Sequence, residues 1–281
     1  QTANMDATAA LKNAKGGFDF DFVARNATLG KSGIKMPKTM KTGTTIVGLV
    51  YNDGVVLAAD TRATEGPIVA DKNCEKIHFI AENIRCCGAG TSADTENVTE
   101  LIASQLELHR LSTATQPRVI TALTRLKQRL FQYQGHVSAA LVLGGIDASG
   151  SHLYTVHPHG STDRLPFATM GSGSMAAMAI FEAKYKDDMD EKEAIALADE
   201  AIQAGIWNDL GSGSNVDICV LSQTSGVRML RTYKGPRNDR KFRAKVPGYN
   251  FPKGSTEWLS ETKEIFKNQI VVEEEKMDVE A

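Results

Sequence analysis

From residue 44 onward the chain reads as short apolar runs broken by turn residues. Thr44–Tyr51 alternates as a strand does, and Asn52-Asp53-Gly54 follows. An Asp-Gly turn between two apolar runs predicts a hairpin. Gly54–Asp60 is the return strand, and its unbroken apolarity predicts burial on both faces. Lys76–Ile80 and Ile84–Gly88 predict a second hairpin, turning at Glu82-Asn83. Gly88-Ala89-Gly90-Thr91 then leads into a helical pattern. Val98, Leu101, Leu108 and Leu111 recur on one face of the first helix. Val119, Leu123, Leu126 and Leu130 do so on the second, with Pro117 in its first turn.

Val137–Asp147 and His152–His157 predict strands joined at Ala148–Ser151. Gly171–Ser174 opens a Met- and Ala-rich helix from Met175 to Tyr185. Asp190 and Glu193 have the spacing of a capping box for a helix to about Ile206. Val216–Ser222 and Val227–Tyr233 predict a last hairpin. The order is strands, two helices, strands, two helices, strands. Two packed sheets between helix pairs bury such elements, so the pattern predicts one α+β, hairpin-rich domain.

Both flanks differ from this body. Residues 1–43 are rich in Gly, Lys, Ala and Asn, with scattered apolar positions and no apolar core of a secretory signal. They read either as a disordered tail or as a segment removed to expose Thr44. Residues 234–281 are rich in Lys, Arg, Glu and Pro, with isolated anchors Tyr249, Phe251, Trp258, Leu259 and Ile265. They read as a solvated tail or as an arm lying along a partner. The expected organisation is therefore 1–43 removable segment, 44–233 domain and 234–281 extension.

Composition narrows the function classes. The chain has 281 residues with 42% hydrophobic and 23% charged, and a formal net charge of −2. Nothing in that balance favours nucleic acid or an anionic membrane as partner. No apolar run reaches the roughly 18 residues that span a bilayer. The four cysteines Cys74, Cys86, Cys87 and Cys219 lack CxxC spacing and read as small core residues in a reducing compartment. His157-Pro158-His159 has no acidic or cysteine companions at ligand spacing, so no metal is expected. The Gly-Ser-Gly-Ser runs at 171–174 and 211–214 match neither a P-loop nor a dinucleotide fingerprint, and no cofactor is expected.

The candidate chemistry lies at Gly43-Thr44. A cut there gives Thr44 a free α-amine beside its own hydroxyl, so one residue carries nucleophile and base. An amine with a pKa near roughly 8 can accept the hydroxyl proton. A lysine ammonium nearby keeps that amine neutral more often, and a carboxylate orients the lysine. Lys76 and Asp60 can fill these roles. The alternative for Asp60-Thr61-Arg62 is a strand-end turn with an Asp60–Arg62 surface contact. Gly88-Ala89-Gly90 lets the backbone approach a substrate closely, with the Gly90 N–H as a candidate oxyanion donor. The serines of the two Gly-Ser runs, and Asp209, can hydrogen-bond a reacting amine.

These stretches together resemble the proteasome β subunits, most of all the eukaryotic β2, trypsin-like type. The matching segments are Gly43–Gly48, Ala58–Thr64, Cys74–Ile77, Cys86–Thr91, Met170–Ser174 and Asn208–Ser214. The resemblance implies an N-terminal nucleophile hydrolase with a four-layer αββα sandwich and no cofactor or metal. It implies Thr44 as nucleophile, Asp60 and Lys76 as its charge partners, Ser172, Asp209 and Ser212 near the amine, and Gly90 as oxyanion donor. It also implies a pocket for Lys or Arg built by Gly88, Glu96, Cys74, His78 and Ala63.

Further expectations follow from the same likeness. Cleavage between Gly43 and Thr44 is autocatalytic, and the uncut chain is an inactive precursor. The partners are other α and β subunits in stacked rings, with the arm on an adjacent β3 subunit, assembly chaperones, and unfolded polypeptide substrates. Neither nucleic acid nor membrane is a partner. The setting is cytoplasmic and nuclear, in ubiquitin-dependent degradation. The alternatives are the same subunit as an inactive precursor with a structural role in ring assembly, a non-catalytic ring subunit, and an unrelated asparaginase-like hydrolase.

Overall fold

The computed structural model describes residues 21–35, 41–235, 252, 254–255 and 257–264. The chain divides into two compact units, residues 1–238 and 239–281. In the second unit the described residues form no helix or strand, and Trp258 and Leu259 are exposed. The other anchors of the arm, Tyr249, Phe251 and Ile265, lie outside the described residues.

In the first unit, strands β1 (Ile46–Tyr51), β2 (Gly54–Asp60), β10 (Phe167–Met170), β11 (Val216–Ser222) and β12 (Gly226–Leu230) form one antiparallel sheet in the order β10-β1-β2-β11-β12. Strands β5 (Ile77–Ala81), β6 (Ile84–Gly90), β7 (Ala139–Asp147), β8 (Gly150–Val156) and β9 (Thr162–Arg164) form a second, in chain order. A small hairpin, β3 (Ala63–Glu65) and β4 (Ile68–Asp71), stands apart.

Side chains of a strand alternate between faces, and here both faces of each sheet are covered. On β2, Val55, Leu57 and Ala59 point between the sheets and meet Cys87, Val142 and Leu153. Val56 and Ala58 point outward under helices α4 (Ser174–Lys184) and α5 (Glu191–Asn208), against Phe181, Leu197 and Ile202. On the second sheet, Cys86, Leu141 and Leu143 meet helices α2 (Ser92–Thr113) and α3 (Val119–Gln132) through Ile102, Leu123 and Leu126. The result is the four-layer αββα sandwich. It explains why β2 reads as a continuous apolar run rather than as alternation.

Helix ends follow the sequence signals. The expected capping box at α5 is present, with Asp190 accepting from the Glu193 N–H at 2.7 Å and Glu193 accepting from the Asp190 N–H at 3.2 Å. At α3 all four expected apolar positions are buried. Pro117 sits just ahead of the helix, and Asp147 of β7 caps it by accepting the Val119 N–H at 2.9 Å.

Several expectations are corrected. The first hairpin turns on Asn52-Asp53, and neither they nor Gly54 have positive φ. Tertiary contacts hold that turn, among them Asn52 Nδ2 donating to the Asp188 carbonyl at 2.8 Å. Gly54 answers a different need, since a Cβ there would lie 1.8 Å from the Leu221 carbonyl oxygen of β11. On α2 the buried face is Thr95, Val98, Thr99, Ile102 and Leu106, while Leu108 and Leu111 are exposed. The two threonines satisfy their hydroxyls within the helix, on the Ser92 and Thr95 carbonyls, so they tolerate burial despite reading as polar. Cys74 is not a core residue but is half-buried. Helix α1 (Asp21–Lys31) and the short strands β3, β4, β9 and β10 carry too little periodicity to be read from the pattern. None of the helices among the described residues is long and apolar enough to cross a membrane.

Candidate active site

The site forms where four segments end together. Thr44 precedes β1, Asp60 closes β2, Lys76 precedes β5, and the loop Asp209–Asn215 joins α5 to β11. Ser172 lies just ahead of α4. Thr44, Asp60, Lys76 and Ser212 are all buried.

Asp60 is fully enclosed and all its acceptor positions are used. Oδ1 accepts from the Thr45 N–H at 2.8 Å and from Lys76 Nζ at 2.8 Å. Oδ2 accepts from the N–H groups of Arg62 at 3.2 Å and Gly213 at 3.0 Å. A buried carboxylate needs such partners. The Asp60–Arg62 surface contact is thereby overturned, because Asp60 has no exposure and binds the Arg62 backbone rather than its guanidinium.

Lys76 likewise uses all three donors. Nζ reaches Asp60 Oδ1, the Thr44 hydroxyl at 3.1 Å and the Gly43 carbonyl oxygen at 3.2 Å. The Thr44 hydroxyl donates to that same carbonyl at 2.7 Å. With Gly43 attached, the Thr44 nitrogen is an amide, and it donates to Ser172 Oγ at 3.0 Å. Ser172 Oγ donates to Asp209 Oδ2 at 2.6 Å, and Ser212 Oγ does so at 2.7 Å. Gly90 ends β6 with φ +118° and lines a cavity of about 30 Å³ with Thr42, Thr44 and Lys76.

The same cavity takes in four of the five expected pocket residues, Ala63, Cys74, His78 and Gly88. At Gly88 a Cβ would lie 2.9 Å from Thr95 Cβ, so the position leaves no room for a side chain. Glu96 lines an adjoining open groove of about 1010 Å³ that is continuous with the cavity, since Cys74, Glu75, His78 and Ser92 line both. Asp71, Glu75 and Glu100 line that groove as well, giving it an acidic wall.

Comparison with known proteins gives the family. The family described as "Proteasome subunit" matches residues 40–221. A protein of Dictyostelium discoideum named "Proteasome subunit beta type-7" is 64% identical over 92% of this chain and 96% of its own length. The Saccharomyces cerevisiae protein named "Proteasome subunit beta type-2" is 53% identical over 94% of this chain and 99% of its own. A mouse protein named "Proteasome subunit beta type-10" is 51% identical over 87% and 89%. The chain belongs to the proteasome subunit family. It is a β subunit of the 20S core and a threonine-type hydrolase with the N-terminal nucleophile hydrolase fold.

Burial alone would push the Asp209 carboxyl up. Hydrogen bonds from Ser172, Ser212 and the Gly211 N–H, with the Lys76 charge, bring it below its ordinary value. Burial pushes the His78 imidazole down, against the charges of Glu96, Glu75 and Glu100. Burial also pushes the Cys74 thiol up, so it sits in the pocket as a neutral group.

Sequence reasoning missed three supporting contacts. The Thr45 hydroxyl pairs with Ser212 Oγ at 2.7 Å, and Thr64 Oγ1 accepts the Gly43 N–H at 3.2 Å. The Arg62 side chain turns to the 209–213 loop. Each joins residues far apart in the chain, and no local spacing signals it.

Proposed function

We propose that Thr44 is the nucleophile of a threonine protease that first cuts its own chain at Gly43-Thr44 and then cleaves polypeptides after basic residues. One observation carries this reading: Lys76 Nζ touches the Thr44 hydroxyl, the Gly43 carbonyl and Asp60 at once. In the first reaction Thr44 Oγ bonds to the Gly43 carbonyl carbon and the C–N bond breaks. The hydroxyl proton passes to the leaving nitrogen. Lys76 faces the oxygen on which negative charge develops. Breaking that bond frees the Thr44 amine, and water then hydrolyses the ester, releasing residues 1–43 with a carboxylate at Gly43 and restoring the Thr44 hydroxyl.

That amine becomes the base for the next attack, taking the Thr44 Oγ proton and later returning it to the leaving amine. Lys76 keeps it neutral more often, and Asp60 holds Lys76 in place. Ser172, Asp209 and Ser212 orient the nitrogen, and the Gly90 N–H serves the oxyanion. Gly88, Ala63, Cys74 and His78 shape the cavity. Glu96, on the acidic wall, favours Lys or Arg before the scissile bond.

In this reading residues 1–43 are a removable segment, 44–233 the catalytic domain and 234–281 an arm on an adjacent β3 subunit. The substrates are unfolded polypeptides within a ring assembly of the cytoplasm and nucleus, in ubiquitin-dependent degradation. Assembly chaperones serve its incorporation. While residues 1–43 remain attached, the amide at Thr44 cannot act as a base, and the subunit is an inactive ring component.

Intact mass of the assembled subunit tests the core of this. Wild type is expected to begin at Thr44, and Thr44→Ala to retain residues 1–43 when no active neighbour trims them. Clean cutting of the Ala variant at 43/44 in isolation overturns self-processing. Deleting residues 244–281 should leave a folded domain that fails to enter rings; normal incorporation on a native gel removes the arm from assembly.

A further inference from the structure

We propose that Arg62 is a positioning residue: its guanidinium fixes the Asp209–Gly213 loop, and so holds Asp209 where it can orient Ser172 and Ser212 beside the Thr44 nitrogen. The inference rests on the active-site assignment above.

The loop lies between the end of α5 at Asn208 and the start of β11 at Val216, and has no regular structure of its own. Its bulkiest side chain cannot anchor it, because Leu210 is 95% exposed. The anchors are backbone groups. Near its end, the Thr61 N–H reaches the Gly213 carbonyl at 3.4 Å, and Thr61 Oγ1 accepts the Asn215 N–H at 2.9 Å. Asp60 Oδ2 ties the Gly213 N–H and the Arg62 N–H at one point. The middle of the loop is held by Arg62, whose Nη1 donates to the Leu210 carbonyl at 3.1 Å.

The fit between Arg62 and Gly213 is close. A Cβ on Gly213 would lie 2.2 Å from both Cζ and Nε of Arg62. The guanidinium therefore lies against bare backbone, in space that a Cβ at residue 213 would take from it. Nε is buried without a hydrogen-bond partner among the described residues, and no carboxylate there pairs with this side chain. A guanidinium in this setting is placed by loop contacts rather than by a charge partner. Without it, the Leu210 carbonyl loses its side-chain donor, and the middle of the loop rests on the Asp209 hydrogen bonds, the Ser212–Thr45 hydroxyl pair and the Gly43–Gly211 contact. A lysine cannot replace it, because an ammonium is compact and lacks the flat fork of donors.

The test uses assembled core particles carrying Arg62→Met or Arg62→Lys, with turnover of a basic fluorogenic peptide normalised to the fraction of free Thr44 amine. A displacement of about 1 Å can cost roughly 10²-fold in rate, so a fall in kcat of about tenfold to 10²-fold is expected, with KM within about twofold. The charged groups around the loop are Lys76 ahead of β5, Asp60 ending β2 and Arg62 beyond it. The acid limb of kcat reports protonation of the Thr44 amine, the base of the reaction, and a loosened loop weakens the Asp209–Ser172 bonds that hold that nitrogen, so the limb should shift in both variants, less in Arg62→Lys. Unchanged kcat and acid limb in both overturn the proposal. So does a loss of thermal stability with the acid limb unmoved, or failure of both variants to assemble, which would make Arg62 a folding residue. Thr44→Ala in the same particle separates the two levels. If cleavage after basic residues survives it, the active-site assignment fails; if cleavage is lost while Arg62 variants behave as wild type, only the positioning role fails.

Discussion

Gly43 and Gly211 face each other so closely that neither has room for a side chain. A Cβ on Gly43 would lie 2.1 Å from Gly211 Cα, and one on Gly211 would lie 2.6 Å from Gly43 Cα. Two glycines distant in sequence thus let the junction lie against the loop that carries Asp209 and Ser212. The residue before Thr44 is limited by this contact, on the opposing backbone, and not by the cavity that Thr42 and Thr44 line.

Gly43→Ala is therefore expected to slow release of residues 1–43 by about 10²-fold or more, because backbone rather than a flexible side chain must move. Time-resolved intact mass during assembly measures it. Gly43→Lys should be no better than Ala, although a basic residue suits the groove. Faster processing of the Lys variant would mean that the substrate pocket reads residue 43.

The Asp60–Lys76 pair yields a second expectation. Lys76→Ala should abolish peptide hydrolysis in assembled particles, since loss of a catalytic group costs about 10²–10⁴-fold. Asp60→Asn should lower activity and also stability. Removing one charge of a buried pair leaves the other uncompensated, at a cost of about 3–5 kcal/mol. Turnover and thermal melting of the purified particle separate these effects. Near-normal turnover in a folded Lys76 variant removes Lys76 from the mechanism.

Glu96 tests specificity. It is exposed, and it shares the groove wall with Asp71, Glu75 and Glu100. Glu96→Gln should lower kcat/KM after Lys or Arg by about tenfold, with apolar substrates less affected. The neighbouring acids should preserve part of the preference. Equal losses on both substrate classes would assign Glu96 a structural role.

Much of this was legible in the sequence. The αββα layers follow from runs such as Gly54–Asp60, where every residue is buried because both sheet faces are covered. Thr44, Asp60 and Lys76 stood out through the Gly43-Thr44 junction and the carboxylate and lysine downstream of it, although Asp60 taken alone also read as a strand-end turn with Arg62. The α2 face was misread because Thr95 and Thr99 count as polar, yet satisfy themselves within the helix. Arg62, Gly211 and Gly213 were silent for a different reason. Their meaning lies in backbone approaches between segments some 150 residues apart, and only the folded chain supplies those. Glu96 was expected at the base of the pocket; it lines the groove that continues from the cavity through Cys74, His78 and Ser92.

The last prediction concerns the second sheet. Asp147 accepts the Val119 N–H at 2.9 Å and the Ser149 N–H at 2.8 Å, and so caps α3 from β7. Burial alone would push its carboxyl up. Those bonds, with the Ser149 hydroxyl and the His152 charge, bring it down from 3.8 to about 2. A carboxyl lowered on folding stabilises the native state above its unfolded pKa, and that contribution is lost as pH falls through the folded value. The window here runs from near pH 4 down to about 2. Asp147→Ala should cost about 0.5–2 kcal/mol at neutral pH, the range of a lost helix cap. The difference between variant and wild type should shrink as pH falls through that window, since protonation removes the same interaction. Denaturant unfolding of the isolated subunit at pH 7, 4 and 2.5 measures it. A difference that stays constant across the three would show that Asp147 acts through packing rather than through its charge.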